Sequence, residues 1–169
     1  MNSRGQDLEF VKNSVKNNVI FEKTFIEYIR KKFNKHLTKT KDELKHYDFS
    51  LGKYNKIEYK GVYYSLIDNE TKAENNKTII RDVMIGRQKI LYFYYRYLRN
   101  RDLRFFIIYG FYTSNDGNIT TKYKFIEITQ ILETIIKTYN QMNYFNNKHF
   151  LIPIKDLKDL TECDIFNQE

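Results

Sequence analysis

Residues 103–113 read LRFFIIYGFYT, an almost unbroken apolar run in which Arg104 is the only charge. Aromatic and β-branched residues fit a pleated, extended backbone, and the stretch is bounded by polar residues on both sides. A strand that is apolar at successive positions, and not at every second one, needs cover on both faces. Such a strand belongs in the middle of a sheet that lies between layers of helix. The turn that follows, Ser114-Asn115-Asp116-Gly117-Asn118, is the strongest hairpin signal in the chain, and it sends residues 118–128 back as the neighbouring strand.

The remaining sequence supplies the layers. Within residues 6–36, Leu8, Val11, Val15, Glu22, Phe25, Ile29 and Phe33 fall on one stripe at three- and four-residue steps, with a break expected near Asn17-Asn18. Glu22 is the one acid on that stripe. It calls for a counter-charge or a bound cation, or else sits in a first turn where the helix dipole favours it. Residues 79–98, capped by Thr78, and residues 129–145 read as two further helices. Between them, residues 46–51 alternate as a strand and Gly52 to Asn55 offer a turn or bulge. Val62 to Ala73 alternate again, and Lys60-Gly61 reads as the hairpin turn before them. Residues 150–154 form a short strand whose Pro153 suits an edge or an end, and residues 155–169 are a short helix or tail. The expected class is α/β, a mixed central sheet flanked by helices, in one domain over residues 1–169.

Composition narrows the partners. The chain carries a formal charge of +8 with 17% aromatic residues. Polyanions release counterions when such a surface neutralises their phosphates, and aromatic side chains can stack bases. One cysteine, Cys163, excludes an internal disulfide and a cysteine-based zinc site. No apolar run is long enough to span a membrane, and the N-terminus lacks a signal-peptide pattern, so the expected compartment is the cytosol, or the nucleus in a eukaryote.

Folding back at Lys60-Gly61 places Asp48 beside Glu70 and Lys72 on one sheet, two carboxylates and a lysine. Carboxylates of this kind hold a hard divalent cation, and a lysine beside them stabilises charge that builds on a phosphate. An acidic residue two before a lysine occurs four times: Glu43-Lys45, Glu58-Lys60, Glu70-Lys72 and Asp156-Lys158. Position separates them. Glu70-Thr71-Lys72 lies on an alternating stretch, after the strand that bears Asp48 and before a helix carrying Gln88 and Tyr92 on one face. Glu58-Tyr59-Lys60, ten residues after Asp48, is the rival, and the expected turn at Lys60 argues against it.

With these residues the chain resembles the PD-(D/E)XK nuclease superfamily, with Gln88-x-x-x-Tyr92 matching the RecB-like branch. Tyr47 stands where the family pattern has proline. The resemblance covers roughly residues 15–113. It implies a restriction-endonuclease-like α-β-β-β-α-β core, here with an added C-terminal hairpin strand and helix. It further implies hydrolysis of phosphodiester bonds with Mg²⁺ or Mn²⁺, on DNA ahead of RNA. By the resemblance Asp48 and Glu70 hold the metal, with Glu22 as a third acid, Lys72 acts on the attacking water, and Gln88 and Tyr92 support the site. Arg81, read on the same helical stripe, faces phosphate. The sequence also allows a homodimer. The alternative is a non-catalytic basic nucleic-acid-binding module or assembly subunit with the same fold.

Overall fold

The computed structural model describes residues 19–41, 45–64, 82–115, 118–141 and 149–168. In chain order these form α1 (residues 19–33), β1 (Thr38–Lys39), β2 (Phe49–Leu51), β3 (Asn55–Tyr64), β4 (Asp82–Gly86) and α2 (Arg87–Arg99). They continue with β5 (Arg104–Asn115), β6 (Asn118–Glu127), α3 (Leu132–Gln141), β7 (His149–Pro153), β8 (Lys158–Asp159) and α4 (Asp164–Asn167). The class is mixed α/β. Six strands make one mixed sheet in the order β1-β2-β3-β5-β6-β8, and β4 pairs with β7 in a separate ribbon.

The apolar run at 103–113 behaves as its composition requires. β5 lies inside the sheet, parallel to β3 and antiparallel to β6. Its side chains alternate between two cores. Phe105, Ile107, Tyr109 and Phe111 pack with Ile90 and Phe93 of α2, Leu132 and Ile135 of α3, and Val83, Ile85 and Ile152 of the β4–β7 ribbon. Phe106 and Ile108 pack the other way, with Phe25 and Ile29 of α1 and with Leu160, Cys163, Ile165 and Phe166 near the C-terminus. At the foot of β5, the Phe105 N–H donates to the buried Thr129 Oγ1 at 2.6 Å, which ties the start of the α3 segment to the central strand.

Two expectations give way. The first is the hairpin turn at Lys60-Gly61. β3 runs straight through both residues, with Lys60 opposite Tyr109 and Gly61 opposite Gly110. The chain turns earlier, over residues 52–54, where Gly52 takes φ 66°. Gly61 is small for packing, not for turning: a Cβ there would lie 3.2 Å from Phe21 Cδ2.

The second is the helix at 79–98. Its described part begins only at Arg87, and residues 82–86 are β4. Val83 and Ile85 are buried at a two-residue period, and extended Gly86 serves as the N-cap. The expected cap Thr78 lies outside the described residues.

The short strand expected at 150–154 forms as β7, ends at Pro153 and pairs with β4. The far edge of the central sheet is β8.

Candidate active site

Asp48 immediately precedes β2 and is fixed from both sides of the backbone. Its N–H donates to the Ile57 carbonyl at 2.9 Å, and its carbonyl accepts from Thr40 N at 2.8 Å. Its side-chain Oδ2 accepts the Tyr59 N–H at 2.8 Å, so the carboxylate reaches across to β3. On β3, Ile57 and Tyr59 pack with the α1-side core. The alternation of a strand therefore turns Glu58 and Lys60 to the α2 side.

Glu58 is 3% exposed in a strand whose neighbours are apolar. Its Oε1 accepts from Lys89 Nζ, one turn into α2, and lies 3.9 Å from Lys60 Nζ. Its Oε2 has no hydrogen-bond partner. Burial raises the Glu58 pKa, the nearby charge of Asp48 raises it further, and Lys89 and Lys60 oppose them, leaving it at about 7. Burial lowers the Lys60 pKa, while the charge of Glu58 pulls it back up. Tyr109, on β5 opposite Lys60, is 1% exposed, and its hydroxyl also has no partner. Burial and then the charge of Glu58 push its pKa up.

Lys89, the partner of Glu58, also lines a cleft of about 610 Å³ together with His46, Gly86, Arg87, Gln88, Leu91 and His149. The cleft sits at the start of α2, where no acidic residue occupies the first turn. The N-terminal end of a helix dipole with Arg87 and Lys89 beside it is electropositive, as an anion's binding surface would be.

The structure therefore joins Asp48 to Glu58 and Lys60. Glu70, Lys72 and Arg81 lie outside the described residues. Gln88 is exposed and lines the cleft. Tyr92 is half-buried against the α2-side core, and its ring meets His46 edge-on at 4.9 Å. His46 is thus a wall of the cleft held against Tyr92. Glu22 stands apart: it is on α1 and pairs with Lys39 at 2.7 Å. That pairing is the counter-charge its place on an apolar stripe called for.

Two members of the group escaped the sequence reading. Lys89 carried a signal, since it falls three residues before Tyr92 on the same helical face. Tyr109 carried none, because it sits among the apolar and aromatic residues of 105–112.

The donor set fits Mg²⁺. That ion uses one or two carboxylates and completes its shell with water and substrate phosphate. Asp48 and Glu58 provide two acids, one with an unpartnered oxygen. Among the described residues, no three or more His, Cys, Asp or Glu gather into a group that could hold a metal ion. No protein-family model, curated protein or solved structure matches the chain. No helix among the described residues is long and apolar enough to cross a membrane.

Proposed function

We propose that the chain is a metal-dependent nuclease of the PD-(D/E)XK type, hydrolysing phosphodiester bonds in DNA ahead of RNA, with Mg²⁺ or Mn²⁺ as cofactor. The observation that carries this reading is half-buried Asp48 beside Lys60 and buried Glu58 on the neighbouring strand, with Lys89 linking Glu58 to the electropositive cleft at the start of α2. The strand order supports it too. Two strands and then β3 form an antiparallel meander, and β5 joins β3 in parallel after a segment that contains α2. That is the succession a restriction-endonuclease-like core requires. The acidic-x-Lys element is accordingly Glu58-Tyr59-Lys60 in place of Glu70-Thr71-Lys72.

In this reading Asp48 and Glu58 hold the cation. When bound, Mg²⁺ polarises the phosphate and makes its own water more acidic. Lys60 holds its ammonium next to the carboxylates, where it steadies the charge that grows on phosphorus oxygens in the transition state. Lys89, Arg87, Gln88 and His149 line the cleft through which the backbone passes, and Tyr92 sets the His46 wall. The test is cleavage of double- and single-stranded DNA and RNA by the full chain with Mg²⁺ or Mn²⁺. Turnover that disappears in Glu58→Gln supports the reading, and no turnover on any of these with either metal overturns it.

One contact favours a second reading. Lys89 already neutralises Glu58, as suits a non-catalytic basic nucleic-acid-binding module. Salt-sensitive binding without turnover would select it.

A further inference from the structure

Among the described residues, three buried side-chain polar atoms have no hydrogen-bond partner: Glu58 Oε2, Tyr109 Oη and Tyr123 Oη. Tyr123 belongs to the α1-side core. The other two share the α2 face of the sheet. Glu58 stands opposite Ile107 and Lys60 opposite Tyr109, so Tyr109 is the next residue on that face along β5 and flanks the acidic-x-Lys pair. The charge of Glu58 reaches the Tyr109 hydroxyl, which places the two groups in one electrostatic neighbourhood. A buried hydroxyl left without a partner is costly, typically 1–3 kcal/mol, and native chains seldom keep one unless it serves an ion, a water or a reaction. Two such atoms on one face, one of them a carboxylate oxygen, imply a common polar guest.

We propose that the Tyr109 hydroxyl is part of the metal site, donating a hydrogen bond to a water carried by the cation that Asp48 and Glu58 hold. The proposal rests on the metal-site reading above. Mg²⁺ gives up its waters reluctantly, so a buried site must provide them with hydrogen-bond partners. Glu58 Oε2 would coordinate the ion or accept a hydrogen bond from its water. Tyr109, whose burial keeps its proton in place, orients that water from the floor of the sheet. It is a positioning residue: it acts through the water and touches neither strand of the substrate.

Calorimetric titration of MgCl₂ and MnCl₂ into the full chain without nucleic acid tests this, using the natural sequence, Tyr109→Phe and Asp48→Ala. Tyr109→Phe removes one unpartnered oxygen and no packing volume, so its metal-free thermal melt should be no lower than that of the natural chain. Groups that orient a metal's ligands typically account for 10–100-fold in affinity. The expected result is at least a tenfold weaker metal affinity in Tyr109→Phe and none measurable in Asp48→Ala. Metal binding should also perturb the tyrosine ultraviolet absorbance of the natural chain, with that change reduced in Tyr109→Phe. Equal affinity and an equal absorbance change in Tyr109→Phe would overturn the role of Tyr109 while leaving the metal site standing. Absence of metal binding by the natural chain would overturn both. A Tyr109→Phe chain that fails to fold would assign the hydroxyl to the core and overturn the proposal as well.

Discussion

Burial and then the charge of Asp48 raise the pKa of the Glu58 carboxyl, and Lys89 and Lys60 only partly counter them. Its pKa of about 7 lies above the ordinary 4.5, so between those values the folded chain binds more proton than the unfolded one. Stability then falls as pH rises through that window and levels off above it, by about 3 kcal/mol in all. Urea unfolding of the metal-free chain from pH 4.5 to 8 should show this decline, and Glu58→Gln should remove most of it; an unchanged slope in that variant would assign the decline to other groups. The neighbouring residue decides where the chemistry lies. Lys60→Ala should lower Mg²⁺-dependent turnover at least about a hundredfold, with DNA binding largely kept, because its charge acts chiefly on the transition state. Lys72→Ala should change turnover little, and the reverse ranking would return the site to Glu70 and Lys72.

Among the elements, β5 was the most legible. Its apolar run dictated cover on both faces, and the turn after it fixed β6 as its partner. β3 was misread for a physical reason. Lys60-Gly61 has the composition of a tight turn, but Gly61 is small because Phe21 packs over it. That expected turn was the ground for preferring Glu70-Thr71-Lys72, which lies outside the described residues, over Glu58-Tyr59-Lys60. The β4 segment misled differently, since Val83 and Ile85 fit either period over so few residues, and pairing with β7 settled the matter. Asp48 was legible because it leads a strand, whereas Tyr109 needed the register of two strands far apart in sequence. Gly110 offers a check on this layer. A Cβ there would sit 2.5 Å from the Tyr59 hydroxyl and 3.0 Å from that of Tyr112, which hydrogen-bond to each other. Gly110→Ala should destabilise the chain by roughly 1–3 kcal/mol, the usual range for an overpacked core, read as a lower denaturation midpoint. No loss would mean that the tyrosine pair yields without strain.

For the whole molecule, a charge of +8 and a cleft walled by Arg87, Lys89 and His149 predict nucleic-acid affinity that falls steeply with salt. Fluorescence titrations of duplex DNA between about 50 and 200 mM salt should give a loss of about a thousandfold if six or more phosphates are neutralised. A flat profile would count against both nucleic-acid readings. The centre of the sheet has a further consequence, in the time the chain takes to be made. β3 is completed by its antiparallel partner β2 on one side only, and its other edge waits for β5, whose first paired residue is Arg104 opposite Asn55. Roughly 50 residues must leave the ribosome between those two positions, a delay of about 3–10 s at ordinary rates of synthesis. Throughout it, an edge bearing Ile57, Tyr59 and Val62 has no partner and is open to mispairing with other nascent chains. The strand that carries Glu58 and Lys60 of the candidate site is therefore a part of the newborn chain in need of shelter.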